Sequence, residues 1–241
     1  MRQSVLNCVK NSILDFFGIY LRRKSLPRGV LLKHDVLKLY KGKSLNLIWD
    51  VGAHRGETAL NFRNAFPDTT IHSFEPIKEN FRALSKLSPS LSLHHPHQLA
   101  LGPKPDTVKM CIRQASVLNS LNPVLNKPEP DDHGEEEVRV DTVDRLLAEW
   151  NLEHLDLLKL DVEGYESQVL EGCQSSLEAG KISFIYLETG LDDRFVSLEA
   201  LVKQLAPFSI HPYAFYEQTA HWTGNQRLWY WNALFAKEEL M

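Results

Sequence analysis

Cysteine is scarce in this chain. The 241 residues hold three, Cys8, Cys111 and Cys173, scattered and without C-x-x-C spacing. That excludes a disulfide framework and a cysteine zinc site, and it favours a reducing, cytoplasmic setting. Long apolar runs are missing too. The most apolar stretch near the start is broken by Asp15, is too short to span a bilayer and lacks the small-residue cleavage pattern of a signal peptide. Neither sign of charge dominates. The net charge is −4, so nothing suggests nucleic acid as a bulk partner. No internal repeat is visible. An apolar share of 43% is ample for a sizeable core, and the length suits one large α/β domain with an added arm.

The chain is organised around Leu45 to Phe81. Leu45, Leu47, Ile48, Trp49 and Val51 form a nearly continuous apolar run, as a strand buried on both faces should. Asp50-Val51-Gly52-Ala53-His54-Arg55-Gly56 follows, in which Gly52 permits a sharp turn with a ligand close to the backbone, and Gly56 lets the next helix start near the strand. Helical spacing then runs over Ala59, Leu60, Phe62, Ala65 and Phe66 until Pro67. Ile71, Ser73 and Phe74 make a second strand that closes at Glu75-Pro76. This is a βαβ mononucleotide unit, whose ligand sits at the carboxyl ends of the strands.

The turn lacks one of the three glycines of G-x-G-x-x-G and carries a carboxylate where a pyrophosphate would sit. A cofactor with an ammonium and a sulfonium suits Asp50-x-Gly52-x-x-x-Gly56 better, with Thr58 at the start of the helix. Glu75, nineteen residues beyond Gly56, stands where a carboxylate can accept both hydroxyls of a ribose. S-adenosyl-L-methionine fits this set better than NAD, although NAD places its acidic ribose partner at the same point.

Residues 1–40 read as an N-terminal helical arm and 41–241 as the cofactor domain. The apolar spacing up to Leu21, followed by Arg22-Arg23-Lys24, suits a helix that packs on the domain or on a second subunit, or one that lies on a membrane surface. Lys33 to Tyr40 suits a second short helix. Beyond Glu75, Ile77 to Leu87 reads as a helix and Leu91 to Gly102 as a third strand, whose Leu99-Ala100-Leu101 end is expected near an adenine. His94, His95 and His97 surround Pro96 without an acidic partner, and a solvated strand or loop explains them better than a metal. Val108 to Ile112 is an extra strand. Ala115 to Glu137 is one long irregular stretch, with Ser116 to Leu121 suited to a lid and Glu135-Glu136-Glu137 to a solvated loop. A short strand over Val138–Val140 and a helix from Thr142 to Trp150 follow.

The second informative stretch is Leu155 to Cys173. Leu157, Leu158 and Leu160 make a buried strand with Lys159 alternating, closed by Asp161-Val162-Glu163-Gly164. In a doubly wound sheet it lies beside the first strand, so Asp161 and Glu163 reach the crevice of Asp50 and Glu75. The same acidic pair could instead cap the next helix. Strands over Ile182–Leu187, Ile210–Tyr216 and Trp229–Ala236 and a helix over Leu198–Leu205 complete the chain. The last two strands form a closing antiparallel pair.

At DVGAHRGETA, HSFEPIKENF and LLKLDVEGYESQVLEGC the chain resembles the FkbM family of S-adenosylmethionine-dependent methyltransferases. The resemblance runs from about Leu45 to Phe235. It implies an α/β class I methyltransferase fold, a Rossmann-like doubly wound seven-stranded sheet ending in an antiparallel hairpin. It also implies O-methylation of a hydroxyl on a glycan sugar or a natural product. By position, Asp50, Gly52 and Gly56 match the loop that holds the methionine part of the cofactor, Glu75 the ribose acid and Asp161 the acidic end of the fourth strand, beside the transferring methyl. His54 stands where many members have Asn, and it is a candidate for cofactor contact or chemistry.

For the methyl transfer, an alcohol must lose its proton as it attacks, so a base is expected. Asp161 is the first candidate, Glu163 the second, with His54 and Glu188 behind them. No metal is assigned, although Asp161 and Glu188 could share one. The acceptor is expected to be a small molecule or glycan, and a homo-oligomer stays open. Two other readings remain: a non-catalytic cofactor-binding module, and an NAD-dependent nucleotide-sugar enzyme. The latter commonly needs a Tyr-x-x-x-Lys pair, and none stands near the crevice.

Overall fold

The structure is a computed structural model that describes residues 26–220 and 227–241. The expected helix over the first 24 residues and Trp222 lie outside the described residues. Within them, α1 (Leu32–Leu39) leads into a main sheet of seven strands. These are β1 (Leu47–Val51), β2 (Thr70–Phe74), β3 (His94–His97), β7 (Leu155–Leu160), β8 (Ile182–Gly190), β9 (Ile210–Ala220) and β10 (Leu228–Lys237). Their spatial order is β3-β2-β1-β7-β8-β10-β9. All pairings are parallel except β10 with β8 and β9, so the seven-stranded sheet with its antiparallel hairpin stands as expected. The order reverses between β1 and β7, which makes the crevice above their carboxyl ends the switch point of the sheet.

The helices α2 (Glu57–Ala65), α3 (Lys78–Leu87), α4 (Val143–Glu149), α5 (Glu166–Glu171), α6 (Gln174–Glu178) and α7 (Leu198–Leu205) connect the strands. Burial on both faces explains why β1, β7 and β8 read as nearly unbroken apolar runs: every β1 and β7 residue is buried. One core holds Trp49, Leu158, Leu160, Val169, Leu187 and Leu201. The other holds Ile48, Leu157, Phe184 and Tyr213 together with Val36 and Leu39 of α1. α1 therefore belongs to the domain: Asp35 Oδ2 accepts hydrogen bonds from the Gly29 amide and the Tyr216 hydroxyl, each at 2.7 Å.

Three expectations need correction. The third strand is two elements. Residues 94–97 form β3 at the edge of the main sheet, and β4 (Ala100–Leu101) joins a small second sheet with β5 (Asp106–Cys111) and β6 (Glu135–Asp141) in the order β4-β6-β5. The acidic run Glu135-Glu136-Glu137 is therefore strand, paired antiparallel with β5, and Glu136 accepts a hydrogen bond from the Lys78 amide at 2.9 Å. Two of the three β3 histidines are packed rather than solvated, while His95 stays exposed. His97 stacks on Phe74 and Trp150, His72 Nδ1 lies 2.9 Å from His97 Nε2, and buried His94 bonds to Ser73 Oγ at 2.9 Å. Pro96 is tolerated because β3 is an edge strand.

Candidate active site

Strand register builds the site in two rows. Ser73, Asp50, Lys159 and Tyr186 are Cα partners across β2, β1, β7 and β8. Side chains two residues apart share a face, so the residues two positions further along form a second row at the carboxyl edge of the same face: Glu75, Gly52, Asp161 and Glu188. The first row is buried; of the second, Glu75, Gly52 and Asp161 border a cavity of about 340 Å³, and Glu188 stands outside its lining. His54, Thr58, Glu75, Asp161, Glu163 and the Leu99–Leu101 segment line that cavity. Its volume falls in the ordinary range for a small-molecule site.

Gly52 is required here for the sharp turn, as expected, and for a steric reason besides. Its φ is +76°, and a Cβ on it would lie 1.8 Å from the Asp161 carbonyl oxygen. Two chain segments of the crevice thus meet closely at Gly52. Gly56, at φ +100°, packs against Leu84 and Leu87 of α3.

Glu75 is held from both sides. Oε2 accepts the His54 amide at 3.0 Å and Oε1 the Ile77 amide at 2.9 Å. The Asn80 side chain bonds to Glu75 as well, and the carboxylate keeps acceptor capacity for a ligand hydroxyl. Burial pushes this carboxyl up to about 7, against the pull of the Ile77 and His54 amides. The His54 backbone thus orients Glu75. Its ring serves elsewhere, with Nε2 2.9 Å from Ser116 Oγ and Nδ1 3.7 Å from Glu57 Oε2.

Asp50 does not line the cavity. It is fully buried behind the turn, and its Oδ1 lies 2.9 Å from Lys159 Nζ. This differs from a carboxylate facing a cationic ligand: its charge is matched inside the protein. Asp161 is the half-exposed member of the same network, 3.4 Å from Lys159 Nζ. Asp161, Glu163 and Glu188 offer carboxylate oxygens within 4.8 Å of one another, close enough for a cation to be held there. Burial first, and then the charges of Asp161 and Glu166, push Glu163 up to about 8. Burial together with Asp161 and Glu163 pushes Glu188 up to about 9.

Sequence reasoning missed two parts, Lys159 and Glu166, and the lid attachments came only with the structure. Lys159 was visible as a lysine inside an apolar strand. Glu166, fully buried, accepts from the Val162 and Gly164 amides through Oε1, so it supports the acidic turn in the place imagined for Asp161 and Glu163 themselves. The lid is tied to both sides of the crevice: Ser116 to His54, the Ser120 hydroxyl to the Glu163 carbonyl at 2.6 Å, and the Asn122 amide to the Gly164 carbonyl at 2.9 Å. Ser116, Val117, Asn119 and Leu121 face the cavity, as a lid should.

A family model described as the methyltransferase FkbM domain matches residues 50–213. The chain belongs to the FkbM methyltransferase family. No curated protein matches the sequence. Among solved structures, precorrin-6y C5,15-methyltransferase from Geobacter metallireducens GS-15 is similar at 10% identity, covering 86% of this chain and 87% of that one, with a TM-score of 0.42. M. capricolum TrmK in complex with S-adenosyl-homocysteine is 11% identical over 85% of this chain and 68% of its own, at 0.45. Aeropyrum pernix fibrillarin in complex with S-adenosyl-L-methionine is 12% identical over 78% and 65%, at 0.42. At such identities nothing about an acceptor transfers.

This FkbM-family protein is a methyltransferase whose cofactor is S-adenosyl-L-methionine. The residues present suit that cofactor: a cavity of adequate size, a carboxylate at the β2 end and carboxylates at the β7 end.

Proposed function

We propose that this methyltransferase acts on a hydroxyl group of a glycan sugar or a hydroxylated natural product. The observation that carries the reading is the carboxylate cluster of Asp161, Glu163 and Glu188 at the carboxyl ends of β7 and β8, beside the cofactor cavity. S-adenosylmethionine supplies an electrophilic methyl when bound. The protein's part is to place it, place the acceptor and take a proton.

Glu75 takes the ribose hydroxyls, and the turn from Gly52 to Gly56, with His54 and Thr58, borders the remainder of the cofactor. Asp50 acts from beneath, through the turn. Leu99 to Leu101 offer an apolar wall for the adenine. Asp161 is the base. It carries an ammonium partner and stays partly open, whereas Glu163 and Glu188 are pushed up to about 8 and about 9 and are mostly protonated at neutral pH. Protonated carboxyls donate hydrogen bonds, which suits them to hold neighbouring hydroxyls of a polyol. A cytoplasmic setting agrees with Cys111 and Cys173 being free and buried. No helix among the described residues is long and apolar enough to cross a membrane.

The test is methyl transfer from isotopically labelled S-adenosylmethionine to a panel of sugars, nucleotide sugars, oligosaccharides and hydroxylated polyketides, with mass spectrometry locating the label. Label on oxygen, with turnover cut about 100-fold or more in Asp161→Asn while S-adenosylhomocysteine still binds, supports the reading. Label on nitrogen or carbon, or full activity in Asp161→Asn, sinks it.

A further inference from the structure

Lys159 is a buried lysine in the strand that ends at the site, and its ammonium contacts two carboxylates and the Val51 and Gly52 carbonyls. Nζ lies 2.9 Å from Asp50 Oδ1, 3.1 Å from the Gly52 carbonyl oxygen and 3.4 Å from Asp161 Oδ2. A counter-ion for Asp50 needs only the first. The other two reach the backbone of the glycine turn after β1 and the carboxylate after β7. These are the two chain segments that meet where Gly52 leaves no room for a Cβ against the Asp161 carbonyl.

We propose that Lys159 is a positioning residue for the cofactor, holding the Gly52 turn and the Asp161 carboxylate at a fixed separation. It thereby shapes the cavity end that receives the charged amino-acid half of S-adenosylmethionine. The assignment rests on the proposed polarity of the site, with Glu75 at the nucleoside half. Burial alone would lower the Lys159 ammonium, but Asp50 and Asp161 outweigh it and hold it above its ordinary value, so the cation is permanent. A rigid cation between two carboxylates leaves Asp161 with a defined orientation and a net negative charge on its surroundings, which suits a ligand end carrying an ammonium and a sulfonium.

Removing Lys159 alone strands Asp50 as a buried unpaired carboxylate, and Lys159→Met is expected to fold poorly. The informative protein is therefore the double variant Asp50→Asn/Lys159→Met, which keeps the buried row neutral. Calorimetry would measure S-adenosylhomocysteine and, as a probe without the amino-acid half, 5′-methylthioadenosine. In a folded double variant, S-adenosylhomocysteine should weaken by about tenfold or more while methylthioadenosine changes less than about twofold. Unchanged S-adenosylhomocysteine affinity would overturn the proposal. Equal loss for both ligands would overturn it as well, since it would mark a general structural role. Glu75→Ala, in an otherwise unaltered chain, should weaken both ligands. If it weakens neither, the polarity of the site is wrong and the positioning role falls with it, an outcome separate from failure of the double variant.

Discussion

Glu75 shows how a single side chain can be legible in sequence and still carry information that only packing supplies. Its place after β2 and its acidity point to a ribose; the depth of its burial does not follow from either. Pushed up to about 7 from 4.5, it takes a proton more readily in the folded than in the unfolded chain. Without ligand, its contribution to stability therefore declines as pH rises from about 4.5 to about 7. Ligand hydroxyls need the ionised form as acceptor. S-adenosylhomocysteine affinity should accordingly fall about tenfold from pH 8 to pH 6, and calorimetry should find that slope absent in Glu75→Gln. Gly52 admits an equally sharp test against Gly42. Both have positive φ, +76° and +82°, but a Cβ on Gly42 meets nothing within 4 Å. Gly42→Ala should cost about 1 kcal/mol for backbone strain, and Gly52→Ala about 3 kcal/mol or more, read from denaturant midpoints. Similar losses at the two positions would remove the steric argument.

Among elements, the buried strands were the most legible, because a continuous apolar run has few other uses. The second sheet was legible only in part, over Val108–Ile112 and Val138–Val140, and the reason is physical. β4 has two residues and β6 opens with three glutamates, so neither β4 nor the start of β6 shows the periodicity that marks a strand; their stability comes from the pairing of β6 with β4 and β5 and from the small core of Ile77, Met110 and Val138. β3 was misread for the opposite reason. Histidines usually signal solvent or metal, and here they form an aromatic face with Phe74 and Trp150. Burial, with the neighbouring histidines, lowers His72 to about 3 and His97 to about 4. The folded state thus holds fewer protons than the unfolded one below pH 6.5, so the stability that this face contributes is complete above that pH and is lost as pH falls toward the folded values. Melting temperature should drop between pH 7 and pH 4, and His72→Phe/His97→Phe should flatten the drop. An unchanged acid limb would place the acid sensitivity elsewhere.

At the scale of the whole molecule, the order of the strands determines which residues can cooperate. Asp50 and Asp161 are distant in sequence, yet the reversal between β1 and β7 makes them neighbours through one lysine. The two glycine-turn and acidic-turn motifs were readable because each closes a buried strand; the lysine between them was not, because alternation in a strand buried on both faces has no visible partner. The expected boundary at residue 40 falls next to a helix that packs on the sheet. A short amphipathic helix before the first strand reads as an arm, but α1 completes one of the two cores. Val36 and Leu39 are buried there, Asp35 bonds to Tyr216 of β9, and the Tyr40 hydroxyl donates to Asp156 Oδ1 at 2.7 Å. Asp156 in turn accepts the Asn46 and Leu47 amides, which fixes the start of β1 against β7. Two buried aliphatic side chains and these hydrogen bonds correspond to about 4–6 kcal/mol, a large part of an ordinary domain's stability. A chain beginning at residue 41 should therefore lose cooperative thermal unfolding or melt more than about 10 °C below the full chain. If it melts with the full chain, α1 is an appendage after all, and the second core closes without it.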